Sequence, residues 1–199
     1  KTTIGATGKL YAQVRAGAPF DLLLSADAET PAQLEAAGLA VPGTRFTYAL
    51  GRLALWSADP QRIGDDGRAA LRAPDLRHVA IANPRLAPYG AAARTALKRL
   101  GLWPRLEDRI VLGQNVGQAH SLVATGNAEL GLVALSAVKL SGKGDHWVVP
   151  QHLHPPIRQD AALLRPGADN AAARAFLDFL KTPAARAVIA DHGYGLDPP

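Results

Sequence analysis

The sequence predicts an α/β protein in which parallel strands alternate with helices, and three features carry that expectation. Short apolar runs recur along the 199 residues, at positions 20–24, 79–82 and 130–135. Each is followed by turn-forming or polar residues and then by a segment whose apolar positions fall at helical spacing. No run approaches the roughly 20 apolar residues that span a bilayer, so the 48% apolar content is available for a core, in one compact domain or two small lobes.

Taken in order, Thr2 to Ile4 are β-prone and run into Gly5-Ala6-Thr7-Gly8, after which Leu10, Tyr11 and Val14 mark a helix. The run at 20–24 reads as a buried strand ending at Ser25-Ala26-Asp27. Pro31, Leu34 and Leu39 then mark a helix closed by Gly38. Residues 79–82 form a strand, followed by Asn83-Pro84 and an Ala-rich helix over 91–100. A glycine-led buried strand at 130–135 ends in a short helical turn. Two further apolar strands, 53–56 and 161–164, bracket the middle of the chain as crossings between lobes. The last long helix, 171–180, carries Ala175, Phe176, Phe179 and Leu180 on one face with Asn170 as its N-cap, and Thr182-Pro183 restarts a shorter helix to Ala190. Strands alternating with helices in this way predict layered sheets with parallel pairing. There is no internal repeat.

The composition and motifs exclude more than they assign. A formal charge of +5 favours an anionic partner, but the bases are dispersed and only 6% of residues are aromatic. Arg94, Lys98, Arg99 and Arg105, the nearest approach to a cluster, read as a solvated helix face, which leaves nucleic acid without a footprint. The chain has no cysteine, so thiolate metal sites, disulfides and cysteine nucleophiles are absent together. Ser25 and Ser136 lack the flanking glycines of a hydrolase elbow, and Gly8-Lys9 is followed by Leu10 where a phosphate loop needs Ser or Thr. His146, His152, His154 and His192 have irregular spacing and read as surface histidines near a loop, not metal ligands. Asp65-Asp66 and Glu107-Asp108 read as turn and capping residues. No nucleophile, acid–base pair or metal cluster is visible, and the expectation is of a protein that is not an enzyme.

Three loops remain, 5–8, 83–90 and 113–118, each placing small or hydroxyl residues at a helix start. Singly, each is explained by turn chemistry. Together they offer unpaired backbone N–H groups and positive helix ends, which suit a small oxyanion.

The segments Gly5-Ala6-Thr7-Gly8-Lys9-Leu10-Tyr11-Ala12-Gln13, Gly17-Ala18-Pro19-Phe20-Asp21 and Leu24-Ser25-Ala26-Asp27 resemble the periplasmic molybdate-binding proteins of ABC importers. Tyr48-Ala49-Leu50-Gly51-Arg52-Leu53, Pro88-Tyr89-Gly90, Leu130-Gly131-Leu132-Val133 and His192-Gly193-Tyr194-Gly195 continue the likeness in order. The resemblance implies a two-lobed periplasmic binding protein type II fold, each lobe a mainly parallel sheet flanked by helices. It divides the chain into lobe I, residues 1–48 and 156–199, and lobe II, residues 49–155. It also implies an oxyanion, molybdate or tungstate, held between the lobes by hydroxyls and backbone N–H groups, with no cofactor and no direct metal–protein bond. Thr7 falls on a hydroxyl ligand, and Tyr89 and Val116 on backbone donors. The family's tyrosine ligand falls on Ala134, so that either Tyr89 or its neighbours compensate, or the site is weaker. Family members carry a strand, a Ser- or Thr-bearing ligand loop and a helix ahead of the segment that opens this sequence. The expectation is therefore of an N-terminally incomplete first lobe with an impaired site. The implied partner is a membrane permease and the implied location the periplasm. The alternatives are the effector-sensing domain of a transcriptional regulator, for which no helix-turn-helix segment is visible, and a receptor for another tetrahedral oxyanion such as sulfate.

Overall fold

The computed structural model describes residues 1–197. The chain divides into two compact units, one from Lys1–Gly51 together with the chain from Ile157 onward, the other Arg52–Pro156.

Unit 1 contains α1 (Thr7–Arg15), β1 (Leu22–Leu24), α2 (Glu29–Ala36) and β2 (Phe46–Gly51). After the chain returns it adds β8 (Ile157–Leu163), α8 (Ala171–Leu180) and α9 (Pro183–Asp191). Its three-stranded sheet has the order β1-β8-β2. The central strand β8 explains the unit. Ala162, with Leu164 just beyond the strand, packs with Val14, Leu23 and Leu34 of the α1 and α2 side. Ala161 and Leu163 pack with Ala173, Leu177 and Leu180 of α8. A strand covered on both faces needs apolar residues at consecutive positions, which is why 161–164 lacks alternation. Asn170 caps α8 as its sequence predicts, its side chain accepting from the N–H groups of Ala172 and Ala173 at 3.0 and 3.3 Å.

Unit 2 contains β3 (Leu53–Ser57), α3 (Gly67–Ala70), β4 (Val79–Ala82), α4 (Pro88–Arg99), α5 (Trp103–Leu106) and β5 (Ile110–Gly113). It continues with α6 (Val116–Ala124), β6 (Leu130–Ala134), α7 (Leu135–Ser141) and β7 (Asp145–Val148). The five strands are ordered β5-β4-β6-β3-β7. On one face Ala54, Trp56, Ala80 and Val133 pack with Ala119 and Val123 of α6. The alternate positions Leu53, Leu55, Ile81 and Leu132 are equally buried, so this sheet too is covered on both sides.

Strand direction departs from the sequence expectation. β4 pairs in parallel with β5 and β6, but β3 is antiparallel to both β6 and β7. In unit 1 β8 is antiparallel to both β1 and β2, so a mainly parallel sheet is not what that unit holds. A doubly covered apolar run reads alike in either direction. The connection decides, and β2 reaches β8 through the whole of unit 2 and not through one crossover helix. The predicted strand at Thr2 to Ile4 does not form: no strand among the described residues pairs with it, and Ile4 is 91% exposed.

Candidate oxyanion-binding site

In unit 2, β4 and β5 lie side by side with Ala82 opposite Gly113. The Asn83 N–H donates to the Gly113 carbonyl at 2.8 Å, which ties the two following loops together. α4 and α6 therefore both begin beyond the carboxyl ends of neighbouring parallel strands, where ligands of α/β sheets bind. Close packing holds them there. A Cβ on Gly90 would lie 2.2 Å from the Ala82 carbonyl oxygen, and one on Gly113 2.6 Å from the Ala119 nitrogen. Larger side chains would push either helix off its strand.

Tyr89 is the second residue of α4, behind Pro88, whose missing N–H removes one orphan donor from the first turn. Its side chain is buried. Val116 is the first residue of α6. The Asn115 side chain before it accepts the Gln118 N–H at 2.9 Å, and its carbonyl takes the Ala119 N–H at 3.1 Å. The N–H groups of Val116 and Gly117 stay outside the helical ladder, as the first turn of any helix requires. Asn115 was not singled out from sequence, although an Asn directly before an apolar helix start is the signal of such a cap. Ala134, the position that the resemblance matches to a tyrosine ligand, ends β6 as the N-cap of α7 and is buried.

In unit 1, Thr7 opens α1 and is buried. Its Oγ1 accepts the Ala26 N–H at 3.2 Å, which leaves the hydroxyl proton to donate elsewhere. The Ser25-Ala26-Asp27 motif is built around that contact. The Ser25 hydroxyl donates to the Asp27 carboxylate at 3.1 Å, and the same carboxylate accepts the Thr30 N–H at 2.8 Å. The Ser25 N–H donates to the Asp160 carbonyl of β8 at 2.9 Å. Thr7 thus leans on a loop anchored to the central strand of its unit, while Tyr89 and Val116 share one edge of the sheet in the other.

Histidines show one correction. His146, His152 and His192 are exposed, but His154 is 2% exposed. A neutral ring can be buried here because Nδ1 lies 2.8 Å from the Pro155 carbonyl and donates to it. His120, in α6 one turn beyond Val116, stacks on Trp56 with ring centroids 4.2 Å apart. Burial pushes both imidazoles below their ordinary range, the Pro155 carbonyl partly opposing this at His154. A base whose folded-state value is depressed stabilises the fold above its unfolded value, near 6.5, and that stability is lost as pH falls through the folded value. Melting temperature is therefore expected to hold between pH 8 and 7 and to decline from pH 6.5 downward. Calorimetric scans should show a flatter decline in His154→Gln, whose amide can still donate to Pro155.

Among the described residues no group of three His, Cys, Asp or Glu side chains could hold a metal ion. No helix among them is long and apolar enough to cross a membrane. The chain belongs to the family of bacterial extracellular solute-binding proteins, whose model matches residues 1–195, and as such it is not an enzyme. It is 52% identical over 190 residues to the molybdate-binding protein ModA of Rhodobacter capsulatus, covering 96% of this chain and 75% of that one. It is 52% identical over 198 residues to the molybdate-binding protein ModA of Azotobacter vinelandii, with 98% and 78% covered. The solved structure of the Azotobacter vinelandii periplasmic molybdate-binding protein superposes with a TM-score of 0.94 at 42% identity, over 98% of this chain and 87% of that one.

Proposed function

We propose that this chain is a periplasmic receptor that binds molybdate, and tungstate with it, and delivers the anion to the membrane permease of an ABC importer. The observation that carries the reading is the 52% identity, along nearly the whole chain, to two molybdate-binding proteins. The helix starts at Thr7, Tyr89 and Val116 supply the chemistry, and we assign these three as ligands. Molybdate at neutral pH is a fully deprotonated tetrahedral dianion, so a site made of donors alone satisfies it. Monohydrogen phosphate carries a proton that would need an acceptor, and a donor-only site rejects it. Sulfate passes that filter and is excluded by its smaller radius. Each charge-assisted bond contributes roughly 1.5 to 3 kcal/mol, and about six of them support sub-micromolar binding after the entropy of association is subtracted.

Titration calorimetry of the mature protein with molybdate, tungstate, sulfate and phosphate tests this. Heat with the first two and none with phosphate is the expected result. Tight sulfate binding without molybdate binding would replace the reading with a sulfate receptor. Thr7→Ala is expected to weaken molybdate by about 1 to 3 kcal/mol, while Thr7→Ser restores most of it. An unchanged affinity in the alanine variant removes Thr7 from the ligand set.

A further inference from the structure

The net charge is not shared between the units. Unit 1 holds nine Lys and Arg against nine Asp and Glu, and unit 2 thirteen against eight, so the whole excess lies in unit 2. Within unit 2 the strand register separates the signs. Asp75 precedes β4, Glu107 and Asp108 precede β5, and Glu129 precedes β6. Asp145 opens β7 opposite Ser57, the last residue of β3, and Asp59, Asp65 and Asp66 follow that strand. Because β3 is antiparallel to β6, its end lies beside the starts of the parallel strands. Local bonds gather the carboxylates there. Asp145 accepts the N–H groups of Ile63 and Gly64 at 3.1 and 2.7 Å, and Glu129 accepts the His78 N–H at 2.7 Å. Every carboxylate of unit 2 thus belongs to the strand-start side.

Among the described residues of unit 2, the opposite edge, where α4, α6 and α7 begin, has no carboxylate and two free cations. Arg85 lies in the loop between β4 and α4, which is tightened by bonds from the N–H groups of Leu86 and Ala87 to the Asn83 carbonyl at 3.1 and 2.9 Å. Arg52 immediately precedes β3, and its carbonyl accepts the N–H of Leu135, the first residue of α7, at 2.9 Å. Both side chains are exposed, and neither guanidinium has a hydrogen bond or ion pair among the described residues. Several other arginines of the unit are engaged. Arg62 and Arg77 pair with Asp75 and Glu129, and Arg99 and Arg105 bond the carbonyls of His152 and Arg72.

We propose that Arg52 and Arg85 steer an oxyanion dianion toward this edge and so set the rate of its capture, without being ligands of the bound anion. The proposal rests on the molybdate reading above. Exposed cations act over about a Debye length, ~10 Å at 0.1 M salt, and the compact turn keeps Arg85 within that reach of the first turn of α4. Such cations raise the encounter rate of an opposite charge and leave the bound state to the short-range donors. Placing them beside the helix starts, not among them, keeps the protonation-based selectivity of a donor-only site while adding attraction at a distance.

Stopped-flow measurement of molybdate binding, followed by tryptophan fluorescence across a range of ionic strength, tests this with Arg52→Gln, Arg85→Gln and both together. Arg72→Gln, which removes a charge from the acidic side, is the control. The association rate constant at low ionic strength is expected to fall about threefold in each single variant and about tenfold in the double. The dissociation rate constant should be unchanged and the differences should vanish near 0.5 M salt. An association rate unaltered at low salt overturns the proposal. So does an equal loss in Arg72→Gln, which would make net charge the cause, or a faster dissociation with association intact, which would make the arginines ligands. A wild-type protein that gives no calorimetric signal with any of the four anions overturns the molybdate reading, and this proposal with it.

Discussion

Gly90→Ala is expected to lower the stability of unit 2 by about 3 kcal/mol or more and to weaken anion binding in whatever protein still folds. The position is not one where glycine is needed for its backbone angles, because Gly90 is absent from the glycines with positive φ. The need is for close approach. An added Cβ would stand 2.2 Å from the Ala82 carbonyl oxygen and 2.7 Å from the Ala82 carbonyl carbon, both backbone atoms of the central parallel strand. No side chain can rotate away from that overlap, so α4 must lift from β4. The helix start carrying Tyr89 would lift with it. Sign makes the test sharp, because alanine is intrinsically the better helix former, by up to about 1 kcal/mol over glycine. A variant as stable as the parent, or more stable, would show that the approach of α4 to β4 is looser than described. Thermal unfolding is the first measurement, with a fall of roughly 6 to 12 °C expected for a chain of this size. Molybdate calorimetry on the folded fraction then separates a displaced site from an unfolded one.

How far the site could be read from the chain follows from which physical signals are local. The helix over 171–180 and its cap at Asn170 were visible because amphipathic spacing and a capping side chain are both written within ten residues. The loops at 83–90 and 113–118 were visible for the same reason, since Gly, Asn and Pro at strand ends mark turns wherever the strands go. Strand direction was not. β8 pairs with β1 and β2 across more than a hundred residues of intervening chain, and nothing within 157–163 states which way its neighbours run. Burial of His154 was hidden too, because it depends on a carbonyl acceptor at the adjacent Pro155 that offsets the cost of desolvation. The bond from Ala26 to Thr7 joins two motifs that each looked like turn chemistry. Only the fold shows that one loop serves the other. Segregation of charge in unit 2 lies in between, since the acidic residues can be counted in the sequence but sorted by edge only when the register is known.

Asp160→Ala is the other change with a large expected cost, about 2 to 3 kcal/mol, and its reasoning runs through a buried charge. Asp160 is 1% exposed in β8. Its carboxylate accepts from Arg45 at 2.9 Å and from the Thr47 hydroxyl at 2.7 Å, so both oxygens are engaged by groups of the β2 edge. Removing it leaves the Thr47 hydroxyl without that acceptor and Arg45 with only Glu35, 3.5 Å away. Because the Arg45 side chain is 38% exposed, water takes up part of the lost interaction. The cost is therefore set below the roughly 3 to 5 kcal/mol of breaking a pair buried on both sides. Asp160→Asn keeps an oxygen for Thr47 and should lose about half as much. The coupling to Arg45 is read by a double-mutant cycle with Arg45→Gln under urea denaturation. A coupling near zero would mean that the Arg45 pair contributes nothing and that Asp160 stabilises through the Thr47 hydroxyl. The main-chain bond from Ser25 to the Asp160 carbonyl survives either substitution, so the loop beneath Thr7 keeps its anchor. Anion affinity should consequently change far less than stability. A large loss of affinity in Asp160→Asn at full folding would show that the β2 edge, and not the main chain of β8, positions Thr7.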